Sequence, residues 1–222
     1  MYNGTIKPPY LKQQKSTTCS LAVLRMVLAT RDIEVSEQEL VSKVETDYSK
    51  KFKNIWNPTI AKLACQYKIK TTLIADWPLL KSENLEKAKK EYAENPTKFN
   101  FRKYENPDDK DTLPEPLPLA YKELFHALDS GAKAVFTPLT GNIIKDTLDH
   151  TSFMLLSVNL KKLYPGKNGY HSILLYAIEN DKVFFHDPSY GEAQSTTVYR
   201  LLQASTNVGA AIIFNTKHPS GK

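Results

Sequence analysis

The sequence predicts an α+β fold: a helical N-terminal half with one buried central helix, packed on a C-terminal antiparallel sheet. Three features point there. Before residue 70 the apolar segments begin at helix-capping residues and keep a helical period. Beyond residue 133 they become shorter and alternating or continuously apolar, separated by turn signals such as the Asn180-Asp181 pair. The two kinds of segment are segregated along the chain rather than interleaved, which favours α+β over α/β architecture.

Each element follows from local chemistry. After a proline-marked lead-in, CSLAVLRMVLAT (19–30) is apolar nearly all round and reads as a buried helix, with Thr17 or Thr18 as N-cap. SEQELVSKV (36–44) opens with Ser36 and Glu39 at capping-box spacing, and NPTIAKLACQYK (57–68) offers Asn57 as cap with Pro58 at the first helical position. IKTTLIAD (69–76) reads as a strand and SENLEKAKKEYAE (82–94) as an exposed helix. Residues 95–118, with five prolines and clustered charges, read as a loop or insertion. Then come a helix closed by Gly131, a strand in KAVFTPL (133–139), a short helix in IIKDTL (143–148) and a strand in SFMLLSVNL (152–160). HSILLYAI (171–178) and KVFFHDP (182–188) form a hairpin, TTVYRLLQAS (196–205) a helix, and GAAIIFNT (209–216) the last buried strand.

At 222 residues, 41% of them hydrophobic, the chain has the material for one core, and residues 1–222 are expected to form a single domain. No apolar run reaches membrane-spanning length, and the N-terminus lacks the apolar stretch of a secretory signal. A cytoplasmic location is the default expectation, with non-classical delivery as an effector the other option. The net charge of +6 is spread in single and paired lysines among acids, with no basic stripe interleaved with aromatics, so a nucleic-acid partner is not expected. Two cysteines, Cys19 and Cys65, lie far apart and suggest neither a disulfide framework nor a zinc knuckle. No cofactor is implied, and oligomeric state is not legible.

The chemistry-bearing residues are few. Cys19 falls in the first turn of the buried helix, where free N–H groups and the helix dipole favour a thiolate. Taken singly, it is as readily a small buried hydrophobe. His171 begins a strand, and Asp187 follows 16 residues later at the end of the paired strand, so a turn at Asn180-Asp181 returns the carboxylate to the imidazole. Alone, Asp187 before Pro188 reads as a turn-capping aspartate. Gln13, six residues before Cys19, offers an amide N–H for an oxyanion, with Gln14 as the competing candidate. A metal set of His171, His186 and Asp187 lacks helical ligand spacing, and strand alternation turns His186 away from Asp187 as a bystander. Cys65 reads as core, and His150, beside Asp149, as a loop residue; His126 in a helical segment and His218 in the C-terminal tail have no visible partner.

The order Gln13, Cys19, His171, Asp187 resembles that of the papain-like cysteine peptidase superfamily, and within it the bacteriocin-leader (double-glycine) peptidases, cysteine peptidase family thirty-nine, and their stand-alone relatives. PPYLKQQKSTTCSLAVLRMVL is similar to that family's N-terminal block, NPTIAKLACQYKIKTTLI to its helix-then-strand segment, and GYHSILLYAIENDKVFFHDPSYG to its histidine strand, hairpin and Asp-Pro ending. Ser20 stands where the family usually carries glycine. The resemblance implies a papain-like fold, with Cys19 as nucleophile, His171 as general base, Asp187 as orienting acid and Gln13 as oxyanion donor, acting on an amide bond in a peptide or protein. Deamidation, acyl transfer of the phytochelatin-synthase kind, or silent peptide binding are the competing outcomes.

Overall fold

The computed structural model describes residues 6–44, 55–75, 82–96, 117–149, 152–205 and 211–216. The apolar run after Thr18 forms α1 (Cys19–Ala29), buried throughout except at Arg25 and Ala29. Next come α2 (Glu37–Lys43), α3 (Asn57–Gln66), β1 (Lys70–Ala75), α4 (Ser82–Glu94), α5 (Leu117–Asp129) and β2 (Lys133–Phe136). The remainder is α6 (Gly141–Asp149), β3 (Ser152–Asn159), α7 (Leu160–Leu163), β4 (Tyr170–Glu179), β5 (Lys182–Asp187), β6 (Gly191–Thr197), α8 (Val198–Ala204) and β7 (Ala211–Asn215).

The strands form one sheet in the order β2-β1-β7-β3-β4-β5-β6. Every neighbouring pair is antiparallel except β1 and β2. Strand alternation splits the core in two. Leu155, Leu174, Tyr176 and Ile212 face α1, α3 and α5, whereas Leu156, Ile173, Leu175 and Phe185 face α6 and α8. Asn180 and Asp181 take φ of 47° and 68°, the left-handed pair that a tight hairpin needs, and they join β4 to β5 as expected.

Local expectations held with instructive exceptions. Ser36 accepts the Glu39 N–H at 3.0 Å and caps α2. In α3, however, Trp56 is the N-cap and Asn57 is already helical; its side chain instead donates to Ser157 Oγ at 3.1 Å. A helix expected from Thr196 begins at Val198, because Thr196 and Thr197 end a strand that the polar sequence GEAQSTT conceals. Thr197 is that helix's cap, accepting from the Arg200 N–H. Most of the 95–118 segment lies outside the described residues, and its last two residues already belong to α5.

Candidate active site

α1 packs against β4, its N-terminus over the end of the sheet where β4 begins. Thr18 is its N-cap, but its hydroxyl does not cap: it lies 2.8 Å from Lys15 O and 2.6 Å from Glu37 Oε1. With no side-chain cap and no acid in its first turn, α1 presents the positive end of its dipole to Cys19, which is buried.

The structure brings three of the four expected residues together. Cys19 and the His171 ring are close enough to shift each other's protonation. Nε2 of that ring lies 2.8 Å from Asp187 Oδ1. Asp187 is fully buried, and its oxygens are filled: Oδ1 also accepts the N–H groups of Ser189 at 2.9 Å and Tyr190 at 3.0 Å, and Oδ2 accepts the Tyr164 hydroxyl at 2.9 Å. The turn-capping role and the histidine-holding role, alternatives in the sequence, are performed by one carboxylate at once.

The electrostatics favour separated charge. Burial pushes the Cys19 thiol up, but the adjacent His171 and the Ser172 hydroxyl and N–H outweigh it, so the thiol ends below its ordinary value. Burial pulls His171 down, yet Asp187 and Cys19 raise it to about 9. Asp187 is raised by burial and lowered by more through His171, the Ser189 N–H and Tyr164, so it stays ionised. Burial and the Asp187 charge raise Tyr164, keeping it a neutral donor. The shifts of Cys19 and His171 run in the direction of a thiolate beside an imidazolium, with Asp187 as the adjoining carboxylate.

Ser172 and Tyr164 were not anticipated from sequence. Ser172 shares the α1-facing side of β4 with Leu174 and Tyr176, and it pairs across the sheet with Ser157, which Asn57 holds. Strand parity one residue after His171 was the signal available for it. Tyr164 leaves no such signal, since its partner is fixed only when α7 folds back toward β5.

Gln13 sits beside these three rather than among them. Its backbone N–H donates to Pro188 O at 3.1 Å, its Nε2 donates to Lys15 O at 2.8 Å, and its Oε1 is buried without a hydrogen-bond partner. Gln14 is exposed, and its N–H goes to Glu37. His186 lies on the opposite face from Asp187 as expected, but it is an anchor, not a bystander. Its Nε2 donates to Pro8 O at 2.8 Å, its Nδ1 accepts the Ala193 N–H at 3.0 Å, and its ring packs on Tyr176. Both nitrogens are thus engaged by backbone.

Cys65 is half-buried, 3.3 Å from the Thr71 hydroxyl, and His126 is exposed on α5. His150 and His218 lie outside the described residues. Among the described residues no group of three His, Cys, Asp or Glu side chains is arranged to hold a metal ion, and no helix is long and apolar enough to cross a membrane.

Several solved structures are similar over nearly the whole chain at low identity. A double-glycine-motif protease from an AMS/PCAT transporter, solved with its leader peptide, is 13% identical at TM-score 0.48, covering 96% of each chain. The peptidase domain of Streptococcus ComA, a bifunctional ABC transporter of a quorum-sensing pathway, is 16% identical at TM-score 0.48, covering 93% of this chain and 98% of its own. A putative C39-like peptidase from Bacillus anthracis is 12% identical at TM-score 0.48, covering 95% and 96%. No curated protein matches the sequence. The peptidase C39-like family model matches residues 5–208, nearly all of the chain, and the protein belongs to that family.

Proposed function

We propose that the protein is a thiol-dependent enzyme that breaks an amide bond in a peptide or protein by way of a thioacyl intermediate. The carrying observation is the buried His171–Asp187 pair, 2.8 Å apart, with Cys19 at the start of α1 beside it and shifted toward the thiolate by His171. Family membership supports a peptide as substrate.

The chemistry follows from these residues. The Cys19 thiolate attacks the carbonyl carbon, a C–S bond forms, and the carbonyl electron pair moves onto oxygen. The Cys19 backbone N–H and a Gln13 Nε2 proton stabilise that oxyanion, aided by the α1 dipole. Collapse breaks the C–N bond as the His171 imidazolium gives its proton to the leaving amine. Water, deprotonated by the now neutral His171, then attacks the thioester and releases the acid, which restores the thiolate and the imidazolium. Asp187 holds the ring and balances its charge throughout, and Tyr164 holds Asp187.

The test is incubation of a broad peptide library with wild-type protein and with Cys19→Ala, read by mass spectrometry. Cleavage products made only by wild type support hydrolysis; a one-dalton gain at glutamine or an amine adduct redirects the same chemistry to deamidation or transfer. Products equal in both proteins, or none of any kind, overturn the proposal.

A further inference from the structure

Residues 8–14, which contain no helix or strand, run between the two sides of the site and are tied to both. On the acid side, Pro8 O accepts from His186, and the Gln13 N–H donates to Pro188 O, one residue beyond Asp187. On the nucleophile side, the Gln14 N–H donates to both carboxylate oxygens of Glu37 at 3.0 Å. The Thr18 hydroxyl, immediately before Cys19, lies 2.6 Å from Glu37 Oε1. Successive N–H groups of Gln13 and Gln14 therefore reach opposite anchors, and the Gln13 side chain leaves from between them to donate to Lys15 O.

Glu37 itself is 1% exposed at the start of α2. A carboxylate so deeply placed is costly unless charge and hydrogen bonds compensate it. Arg25, on α1, supplies the charge at 3.8 Å from Oε2 and also donates from Nε to Val35 O at 2.9 Å. Helix α2 gains a first-turn acid from exposed Glu39 without burying one. The burial of Glu37 is explained by what it grips: the segment from Gln14 to Thr18, and α1 through Arg25.

We infer that Glu37 is a positioning residue for the thiol site, setting the 13–18 segment and thereby the Gln13 amide against the start of α1. The inference rests on the proposed thiol chemistry and deepens it. Glu37 acts through Gln13 on the oxyanion, so its loss affects acyl transfer and spares the thiolate, which His171 and Ser172 set up from β4.

Two small reagents separate these effects in the full chain. Iodoacetamide alkylates a thiolate with no oxyanion, whereas p-nitrophenyl acetate acylates it through one. In Glu37→Gln the release of nitrophenolate on acylation is expected to slow about tenfold or more, with the pH profile of Cys19 alkylation unmoved. The double variant Arg25→Gln/Glu37→Gln removes both charges, leaves no unpaired arginine, and is expected to give the same split if the single variant folds poorly. Gln13→Ala is expected to match it, and combining Gln13→Ala with Glu37→Gln to add little further loss. Unchanged acylation, parallel slowing with both reagents, or fully additive losses would overturn the inference while leaving the thiol chemistry intact. Wild-type Cys19 reacting no faster than Cys65 would instead remove the proposed function, and the inference with it.

Discussion

The acid side and the nucleophile side of the proposed site are built by opposite means. His171 and Asp187 sit on one hairpin, and pairing of β4 with β5 through a two-residue turn brings them together. Cys19 arrives from the far end of the sequence on a helix, and the segment before it takes its shape from Pro188, Glu37 and Lys15 rather than from a ladder of its own. The local side is rigid because strand register fixes it; the distant side is held by a few discrete polar ties, each of which can be cut alone. Chemistry that needs sub-ångström placement thus depends on a stiff half and on a half whose precision rests on named hydrogen bonds.

Mutations on the two sides should differ in character. The largest effects come from the reacting residues themselves: Cys19→Ala is expected to abolish product formation with folding retained, and His171→Ala to slow Cys19 acylation about 10²- to 10⁴-fold near neutral pH. Comparable acylation in His171→Ala would remove histidine from the mechanism. Next is Tyr164→Phe, which deletes one donor to the buried Asp187 carboxylate. A hydrogen bond to a charged group is worth about 1.5–3 kcal/mol, so acylation should fall about tenfold or more, whereas an unaffected rate would mean that Asp187 holds its orientation unaided.

Ser172→Ala is expected to act more gently, raising the midpoint of the Cys19 alkylation profile by about one pH unit as the thiolate loses a donor. A midpoint that stays put would assign thiolate stabilisation to His171 alone. The smallest effect on chemistry is expected at His186, whose work is structural. His186→Phe leaves Pro8 O and the Ala193 N–H without their partner and should cost about 1–3 kcal/mol for each group left unsatisfied, measured by denaturant unfolding. The wild-type ring adds a pH signature. Burial, together with Lys7, holds native His186 below its ordinary 6.5. As pH falls through 6.5 the unfolded chain gains a proton that the native ring does not, so stability drops across that window until the lower native value is reached. Absence of that drop in a comparison with His186→Phe would contradict the anchoring role.

The same contrast explains what the sequence made legible. The hairpin that pairs His171 with Asp187 and the buried helix that begins at Cys19 could be read because each rests on local pattern, a left-handed turn pair, strand period and a helix start; that Cys19 should meet His171 across most of the chain came only from the resemblance. Strand β6 was not readable, since GEAQSTT carries no apolar alternation and takes its strand form from pairing with β5. Asn57 looked like a cap and is a tertiary donor to Ser157, a contact 100 residues away that no local rule encodes. Tyr164 and Glu37 escaped for the same reason. Their roles consist of reaching a carboxylate or a backbone N–H brought near by the completed fold, and a tyrosine in LKKLY or a glutamate in a helix's first turn is most often a surface residue.

The pH dependence of iodoacetamide alkylation at Cys19, with Cys65 as internal reference, tests the central claim most directly. The account predicts that Cys19 outpaces Cys65 at and below neutral pH and that its profile stays flat until His171, raised to about 9, gives up its proton. It further predicts that His171→Ala moves the onset of Cys19 reactivity to higher pH. A wild-type profile in which Cys19 and Cys65 rise together, unchanged by His171→Ala, would contradict the thiolate–imidazolium pair.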